Sequence, residues 1–427
     1  MRYFYSAVLY IALPFIVLRM LWRSRRAPAY RHRLAERLAH FDTTALAADR
    51  PVIWVHAVSV GETIAAAPLV EALLTRYPGH SLVVTTTTPT GSERVRALFG
   101  DRVFHVYAPW DLPGATRRFF ATLKPRLLLL METELWPNML QQAQASGCPV
   151  VLANARMSER SARGYGRVAS LTRDMLGQLA AVGCQAPADG ERVVALGLPP
   201  ERLHTTGSIK FDIHLAPELR EQGAALDVAW DGDHRTIVVA ASTHPGEDEQ
   251  ILAAYKALKG TVGRALLVLV PRHPERFDAV YELCRQGGWT VCRRSSGDTV
   301  DDSVDIVLGD TMGELLLLLG VADIALIGGS LVKHGGHNVL EPAVWGVPVV
   351  TGPHMFNFSD ISRMLVDADA MVQLPDPALL PETLLDLALD PQRRATMGTA
   401  GRQVVRDNRG AMDRLLALVE SVYPLAP

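Results

Sequence analysis

Short apolar runs alternate with helical stretches along most of this chain, and this alternation limits the possible folds more than any other feature. Helical stretches such as Glu62–Tyr77 separate the apolar runs of the first half. Those runs are Val52–Val55, Ser81–Thr86, Val103–Tyr107, Leu127–Met131, Val150–Ala153 and Ala181–Cys184. Strands that alternate with helices form parallel sheets, so the sequence predicts a doubly wound α/β domain.

The same alternation returns after a break, which predicts a second domain. The break begins near Thr206–Asp212 and continues as a polar segment to His234. The apolar runs beyond it are Thr236–Ala240, Ala265–Val270, Thr290–Arg293, Val304–Leu308, Ile324–Ile327 and Val347–Val350. A chain of 427 residues is long enough for two such domains. We predict a first domain over residues 51–212, a linker over 213–234 and a second domain over 235–427.

The composition excludes some functional classes. The net charge is -2, whereas a nucleic-acid-binding chain is usually basic, so no nucleic-acid partner is expected. The four cysteines are scattered and form no Cys-x-x-Cys pair: Cys148, Cys184, Cys284 and Cys292. This spacing favours neither disulfides nor a cysteine metal site, and it fits a reducing cytosol.

The N-terminus carries the other strong signal, an almost wholly apolar run from Tyr3 to Trp22. Arg2 precedes the run, and a cluster of arginines follows it: Arg23, Arg25, Arg26, Arg31, Arg33 and Arg37. The run is about one bilayer long, and the charge asymmetry predicts that the remainder of the chain lies in the cytoplasm. An amphipathic helix in the membrane interface is the alternative. Both predict a membrane anchor over 1–22 and a basic connecting segment over 23–50 that attracts anionic lipids.

The stretch Gly328–Ala343 is the strongest candidate for a ligand site. It contains four glycines, follows the apolar run Ile324–Ile327 and leads into a helix expected to begin near Asn338. Glycines allow the backbone to approach a ligand closely, and a helix start favours phosphate. Asn338 and Glu341 are three residues apart, so their side chains can share one side of the first turn. The pattern predicts a cradle for a nucleotide sugar.

Polar loops follow two predicted strands of the first domain, where ligands bind in doubly wound sheets. In His56–Glu62, Glu62 is a candidate general base, although it could serve only as a helix-dipole partner. In Glu132–Asn138, Glu132 and Glu134 would point to opposite sides if the strand continued, with one of them paired to an arginine. The loop Asn154–Ser161 reads equally well as a helix cap formed by Ser158.

Two loops of the second domain are further candidates. Pro271 and Pro274 fix the loop around Arg272, and a rigid arginine at a strand end suits phosphate or base recognition, with a surface salt bridge as the alternative. In Met312-Gly313-Glu314, Gly313 permits backbone contact with a base, and a simple cap from Thr311 is the alternative.

Other motifs give no support to NTPase, dehydrogenase or metal-dependent readings. The chain has no phosphate-binding loop ending in Gly-Lys-Ser/Thr and no Gly-x-Gly-x-x-Gly after its first strand. Asp231-Gly232-Asp233 matches a metal-binding Asp-x-Asp pattern but precedes a strand within the predicted linker. His334 and His337 are separated by two glycines, which indicates close backbone approach more than a zinc face.

Together these stretches resemble the bacterial 3-deoxy-D-manno-octulosonic acid (Kdo) transferases of lipopolysaccharide biosynthesis, of the glycosyltransferase family 30 type. The resemblance rests on the anchor and on His56–Glu62, Met131–Asn138, Asn154–Ser161, Gly207–Asp212, Pro271–Phe277, Met312–Glu314 and Gly328–Ala343. It extends over essentially the whole chain, in the same order and spacing. The chain departs from the family at Val58-Ser59-Val60, where a serine pair most often precedes the glycine.

The resemblance implies a GT-B fold, that is, two Rossmann-like α/β domains facing across a cleft, with an N-terminal membrane anchor helix. The final helix often crosses back to the first domain in two-domain sugar transferases, and the tail here is expected to do the same. The implied reaction is an inverting transfer of Kdo from CMP-Kdo to lipid IVA, without a metal or another cofactor. The implied location is the cytoplasmic side of the bacterial inner membrane.

The resemblance also implies roles for individual residues. Glu62 becomes the base that deprotonates the acceptor hydroxyl. The implied CMP contacts are Pro271, Arg272, Met312, Gly313, Glu314, Asn338, Val339, Leu340 and Glu341. Further candidates around the substrates are Ser59, Gly61, Glu132, Glu134, Lys210, Gly329, Ser330 and Lys333.

Two other functions are compatible with part of this pattern. A GT-B transferase that uses a UDP-sugar on a lipid acceptor would share the fold and the glycine stretch. It would not account for the His56–Glu62 and Met131–Asn138 loops together. A membrane-tethered nucleotide-binding module without enzymatic activity would need the cleft but not Glu62.

Overall fold

Two seven-stranded sheets, each wholly parallel, organise the chain. The computed structural model describes residues 1–25, 28–47 and 49–424, with only the backbone for Asp233. Arg26 of the predicted basic cluster and the side chain of Asp233 therefore lie outside the described residues. The parallel sheets confirm the α/β class expected from the alternating pattern.

The first sheet has the strand order β3-β2-β1-β4-β5-β6-β7. Its strands are β1 Val52–His56, β2 Ser81–Thr86, β3 Phe104–Tyr107, β4 Pro125–Met131, β5 Val150–Ala155, β6 Ala181–Cys184 and β7 Leu203–Thr205. Hydrophobic clusters cover both faces of this sheet, with Trp54 on one and Ile53 on the other. Because both faces are buried, the strands are continuous apolar runs and show no alternation of polar residues.

The second sheet has the order β10-β11-β9-β8-β12-β13-β14. Its strands are β8 Thr236–Thr243, β9 Ala265–Pro271, β10 Val291–Arg293, β11 Ile306–Leu308, β12 Ile324–Ile327, β13 Val349–Thr351 and β14 Met371–Gln373. The strands β7 and β14 were not predicted from the sequence. Each is a three-residue edge strand with exposed positions, so neither has the apolar run that marks the inner strands.

Seventeen α-helices surround the sheets in the described part of the chain. They are α1 Arg2–Arg23, α2 Val60–Arg76, α3 Pro89–Phe99, α4 Pro113–Leu123, α5 Pro137–Ala145, α6 Glu159–Gly166, α7 Ala169–Leu176, α8 Pro187–Ala195, α9 Pro217–Ala229, α10 Asp248–Val262, α11 Phe277–Gln286, α12 Leu315–Leu318, α13 Leu340–Trp345, α14 Ser359–Asp367, α15 Leu380–Leu389, α16 Pro391–Asp407 and α17 Ala411–Val422. Five of the first nine begin with proline at their first position: Pro89, Pro113, Pro137, Pro187 and Pro217. Proline is suited to this position because the first N–H of a helix has no partner within it.

The chain divides into two compact units, residues 1–212 with 409–427, and residues 213–408. The helix α17 belongs to the first unit, where Leu415, Leu416 and Val419 lie in the same apolar cluster as Ile53. Segment 213–234, expected to be a linker, belongs to the second unit. It carries α9, whose Gly223 lies directly against the Trp345 ring, so a buried contact holds the segment in place.

Each sheet has a switch point where the strand order reverses, between β1 and β4 in the first and between β8 and β12 in the second. In open parallel sheets ligands bind outside the carboxyl ends of the strands at such points. Glu62 lies in the first turn of the helix after β1, Glu132 lies in the loop after β4, and the glycine stretch follows β12. The topology therefore places the predicted site loops where this architecture holds ligands.

Among the described residues, α1 is the one helix long and apolar enough to cross a bilayer. Most of its large apolar side chains are exposed, and Ser6 is its one buried residue. Length and composition alone make it a candidate anchor and leave its orientation open.

Candidate active site

Three carboxylates meet beyond the switch point of the first sheet. Glu62 lies in the first turn of α2, which follows β1, and Glu132 and Glu134 lie in the turn that follows β4. Glu62 interacts electrostatically with Glu132, and Glu134 interacts with both of the others. The fold therefore brings together three side chains that the sequence places in two separate loops.

Glu62 forms a reciprocal cap at the start of α2. The Ser59 hydroxyl accepts a hydrogen bond from the Glu62 N–H at 3.3 Å and donates one to Glu62 Oε1 at 2.9 Å. The Val58 N–H donates to Glu62 Oε2 at 2.8 Å. This is a variant of the capping box, so the helix-start role considered from the sequence is real. Because a carboxylate has about four lone-pair directions, each oxygen of Glu62 can still accept a further proton or hydrogen bond.

The environment raises the pKa of two of these carboxylates. Burial is the main reason why the pKa of Glu62 lies above its ordinary value; the charge of Glu132 adds to it, and the bonds from Val58 and Ser59 oppose it. Burial followed by the charge of Glu62 raises the pKa of Glu134 to about 7, against the hydrogen bond from Trp136 Nε1. A carboxylate whose pKa moves towards neutrality is a stronger base, which is the property a general base needs.

The turn after β4 differs from the strand-like alternation considered for Glu132 and Glu134. The strand ends at Met131, and Glu132 has a φ of 55°, so the chain turns and does not continue extended. The alternation, which required a continuing strand, therefore does not apply, and both carboxylates interact electrostatically with Glu62. Lys210 lies near Glu132: burial lowers the pKa of Lys210, and the charge of Glu132 opposes that shift.

Gly61 is exposed in the first turn of α2. Its φ is not positive, and a Cβ at this position would meet only the Ser59 hydroxyl, at 3.9 Å. The turn itself therefore does not require glycine. The backbone of Gly61, one residue before Glu62, is exposed to solvent.

The neighbouring loops are largely structural. His56 is buried, its Nδ1 lies 2.8 Å from Thr85 Oγ1, and burial lowers its pKa to about 4. Ser158 caps α6 by accepting from the Ser161 N–H at 3.1 Å, which confirms the cap reading of that loop. Asn154 is fully buried with a φ of 54°, and its Oδ1 accepts from the Ile209 N–H at 3.3 Å.

In the second unit the carboxylate of Glu247 organises the glycine stretch. Glu247 is fully buried, and its Oε2 accepts from the N–H groups of His244 at 2.8 Å and Gly329 at 2.7 Å. Its Oε1 accepts from Ser330 at 3.1 Å and Leu331 at 2.9 Å. In the sequence this segment shows only an acidic helix start, Glu247-Asp248-Glu249. A carboxylate joining two strand-end loops leaves little local signal, because three of its four partners are 82 to 84 residues away.

The glycines of this stretch allow the chain to pack closely on itself. A Cβ on Gly328 would lie 2.4 Å from the Ser242 carbonyl oxygen, and Gly329 has a φ of 68°. Ser330 is buried, and its hydroxyl bonds to the Ile327 carbonyl and accepts from the Gly352 N–H at 2.8 Å. The hydroxyl of Ser330 is thus occupied by the backbone, whereas the exposed Lys333 side chain points outward.

Asn338 and Glu341 lie side by side, as their spacing predicted. Asn338 Nδ2 donates to Glu341 Oε1 at 3.1 Å, and Asn338 Oδ1 accepts from the Leu340 N–H at 3.1 Å. Val339 and Leu340 are fully buried, so they can offer a ligand only their backbone. The helix α13 begins at Leu340 and has only six residues, so its dipole is weaker than a long helix would supply.

Arg272 lies close to this pair and stands free in the described part of the chain. Its guanidinium makes no hydrogen bond or ion pair with the described residues, so the surface salt bridge considered from the sequence does not form. The pKa of Glu341 is raised by burial, and Asn338 and Arg272 oppose that rise. Pro271 is the last residue of β9, and the Arg272 N–H donates to the Thr243 carbonyl at 3.0 Å.

Two neutral histidines adjoin Arg272. His244 Nε2 and His337 Nε2 are 2.8 Å apart, so one nitrogen donates and the other accepts. Burial, with the nearby histidines and arginines, lowers the pKa of His244 to about 4. Burial and Arg272 lower that of His337 to about 3. No group of three or more residues that could hold a metal ion occurs among the described residues.

Met312, Gly313 and Glu314 form an open corner before α12. Met312 and Gly313 are exposed, and Gly313 has a φ of 89°, a conformation that favours glycine. Glu314 accepts two hydrogen bonds from Arg294, at 3.1 and 3.2 Å, and one from the Thr311 hydroxyl. These bonds fix the corner and leave its outer face uncovered.

Comparison with known proteins gives consistent results over both units. A family model described as 3-Deoxy-D-manno-octulosonic-acid transferase (kdotransferase) matches residues 32–213. The 3-deoxy-D-manno-octulosonic acid transferase of Haemophilus influenzae is 44% identical over 420 residues, 98% of each chain. The protein of that name from Bordetella pertussis is 38% identical over 429 residues, covering 97% of this chain and 98% of its own.

Solved structures support the fold. The UDP-GlcNAc 2-epimerase from Neisseria meningitidis bound to UDP-GlcNAc covers 87% of this chain with a TM-score of 0.57 and 12% identity. Anabaena Alr3699/HepE in complex with UDP covers 88% with a TM-score of 0.55 and 12% identity. At such low identity the likeness concerns the fold alone, and with the two parallel sheets it confirms the GT-B architecture.

Proposed function

The chain belongs to the family of 3-deoxy-D-manno-octulosonic acid (Kdo) transferases, and we propose that it transfers Kdo from CMP-Kdo to lipid IVA in lipopolysaccharide synthesis. The observation that carries this proposal is the 44% identity to a Kdo transferase over 98% of both chains. The match extends over 98% of the chain and therefore over both sheets and the loops at their strand ends. A glycosyltransferase activity accounts for the whole conserved length, which a binding module would not need.

We propose Glu62 as the general base of a single displacement. An acceptor hydroxyl oxygen attacks the anomeric carbon of Kdo while its proton passes to the Glu62 carboxylate. The bond from that carbon to the phosphate oxygen breaks, and the electron pair leaves with CMP. One displacement inverts the configuration at the anomeric carbon. The raised pKa of Glu62 and its free lone pairs support this role.

We propose that the second unit binds the donor. The free guanidinium of Arg272 suits the phosphate, because a planar fork can donate two parallel hydrogen bonds to it. The Glu341 carboxylate, held by Asn338, suits the vicinal hydroxyls of ribose. The backbones of Val339, Leu340 and Gly313 offer further polar groups. Charge leaving on CMP would then be stabilised by Arg272 and backbone N–H groups, with no metal required in the proposal.

A lipid acceptor explains why the N-terminal segment would attach the enzyme to a membrane. Lipid IVA lies in a membrane, and α1 with the arginines after it would keep the enzyme at that surface. We place the protein at the cytoplasmic face of the bacterial inner membrane, attached through α1 and attracted by anionic lipids. The exposed arginines Arg23, Arg25 and Arg31 support this attachment.

Nucleotide choice tests the donor assignment. Thermal unfolding is followed with CMP, CMP-Kdo, UDP and UDP-sugars, since a ligand at 100 times its Kd adds about 2.7 kcal/mol to the stability of the folded protein. CMP and CMP-Kdo should raise the Tm, and Arg272→Ala should abolish that rise. A rise with UDP but none with CMP would contradict the proposal and favour a UDP-sugar transferase.

A further inference from the structure

Both ends of α1 are fixed to the same unit of the protein. At the N-terminal end, Arg2 Nη1 donates to Asn138 Oδ1 at 3.3 Å, and the Ser6 hydroxyl donates to the same oxygen at 3.1 Å. Tyr5 forms a hydrogen bond with Asp111 and packs against the apolar cluster beneath the sheet. The first two turns of α1 are therefore built into the first unit.

The partners of that end are core residues and not surface ones. Asn138 is 2% exposed and Asp111 is 5% exposed. The Asp111 carboxylate accepts from the N–H groups of Asn138 at 3.0 Å and Met139 at 2.7 Å, which caps the start of α5. Ser6 itself is buried. Separating the helix end from this site would leave polar groups of the core without these partners, which is unfavourable.

The C-terminal end of α1 is held through the segment that follows it. Ser24 is buried and accepts from Arg31 Nε at 2.7 Å. Arg33 then donates to Ser92 Oγ at 2.8 Å, and Arg37 to the Thr87 carbonyl at 2.8 Å. These residues belong to the first unit and lie around β2 and α3.

The length of α1 makes these two attachments incompatible with a membrane span. A helix of 22 residues is about 33 Å long, and the hydrocarbon core of a bilayer is about 30 Å thick. In a spanning helix one end would lie on the far side of the bilayer from the domain. Here Arg2, Tyr5 and Ser6 contact the domain to which the other end is also joined.

The exposure of α1 fits a helix that lies flat. A stripe of partly buried residues runs along its length at helical spacing: Tyr5, Leu9, Leu13, Ile16 and Met20. The opposite side is exposed and apolar, with Tyr3, Phe4, Ile11, Phe15, Leu18 and Trp22. An apolar surface of this extent on a folded protein indicates a partner.

We propose that α1 lies in the plane of an anionic lipid surface, with its exposed apolar side in the acyl boundary, and does not cross the bilayer. The charges favour this partner: the first 35 residues contain no acidic side chain, and Arg19, Arg23 and Arg31 are exposed. The inference rests on the proposed function only in assuming a membrane-bound acceptor. The proposal implies that the N-terminus lies on the same side of the membrane as the rest of the chain.

Labelling tests this topology in the full-length protein. The four native cysteines are buried, so a short Gly-Ser extension ending in cysteine supplies the only accessible thiol. One version carries it before Met1 and a matched control carries it at the C-terminus. A membrane-impermeant maleimide is added to cells with a permeabilised outer membrane, before and after lysis. Both thiols should react at least ten-fold more after lysis. If the N-terminal thiol reacted fully before lysis and the C-terminal thiol reacted only after it, the proposal would be overturned.

A cross-link tests the contact itself in isolated membranes. Oxidation should join the two cysteines of Ser6→Cys/Asn138→Cys, detected by mass spectrometry of the linked peptides. It should not join those of Phe15→Cys/Asn138→Cys, because Phe15 lies on the exposed side. Equal yields for the two pairs would contradict the in-plane helix. If Asn138→Cys prevents folding, the labelling result on the unaltered domain decides.

Lipid composition tests the partner. Co-sedimentation with vesicles containing phosphatidylglycerol should fall at least ten-fold when phosphatidylcholine replaces that lipid, and equal binding would overturn the anionic partner. These readouts do not involve sugar transfer. A protein that fails to transfer Kdo but has both ends on one side of the membrane would refute the proposed function and retain this topology. A protein that transfers Kdo but has its two ends on opposite sides would retain the proposed function and refute this topology.

Discussion

Replacing Glu62 by glutamine separates its two roles, as helix cap and as base. Glutamine keeps the shape but offers one acceptor oxygen where Glu62 accepts from both Val58 and Ser59, so one cap hydrogen bond is lost. That loss should cost about 1 kcal/mol of stability, or a Tm decrease of about 2–4 °C for a unit of this size. Loss of the base should lower the transfer rate by about 10²–10⁴-fold, which is about 3–5 kcal/mol of the barrier.

Ser59→Ala is the matched control, because it removes the same capping contact and keeps the carboxylate. Transfer is measured with CMP-Kdo and lipid IVA in detergent, together with the Tm and the affinity for CMP. Both variants should lose similar stability and bind CMP normally, and only Glu62→Gln should lose transfer. If the two variants lose transfer to the same extent, Glu62 is a structural cap and the base is another group.

Three further changes follow from the geometry. Because burial raises the pKa of Glu134 from 4.5 to about 7, its contribution to stability is present below pH 4.5 and is lost as the pH rises through 7. Glu134→Gln should therefore raise the free energy of unfolding in urea more at pH 8 than at pH 5, by up to about 3 kcal/mol, and an equal change at both would refute this. Arg272→Lys keeps the charge but loses the planar guanidinium that can donate two parallel hydrogen bonds, so calorimetry should show CMP binding at least ten-fold weaker. Unchanged affinity for CMP would show that Arg272 is not part of the binding site. Glu247→Gln leaves buried N–H groups unsatisfied and should lower the free energy of unfolding in urea by about 2–4 kcal/mol. An unchanged midpoint of urea unfolding would contradict this prediction.

The sequence predicted the elements whose cause is local. Inner strands such as β1 and β8 are apolar because both faces are covered, and their runs could be read directly. The pairing of Asn338 with Glu341 followed from helical spacing alone. The edge strand β7 lacked a signal because two of its three residues are exposed.

Features that depend on distant residues could not be predicted in this way. Glu247 holds backbone groups more than 80 residues away, and Asp111 caps a helix that begins 26 residues later. The turn at Glu132 depends on a positive φ at a non-glycine residue, which the sequence does not mark. The attachment of α1 through Ser6 likewise requires the folded domain, since a single serine in an apolar run has no evident partner.

Mass spectrometry of lipid IVA after incubation with CMP-Kdo and the purified protein tests the central claim most directly. The reaction should yield lipid IVA whose mass has increased by one or more Kdo units, together with free CMP, and Glu62→Gln should leave the lipid unchanged. Unmodified lipid IVA from the folded, CMP-binding wild-type protein would contradict the claim. So would a lipid that gains a sugar from a UDP-sugar and none from CMP-Kdo.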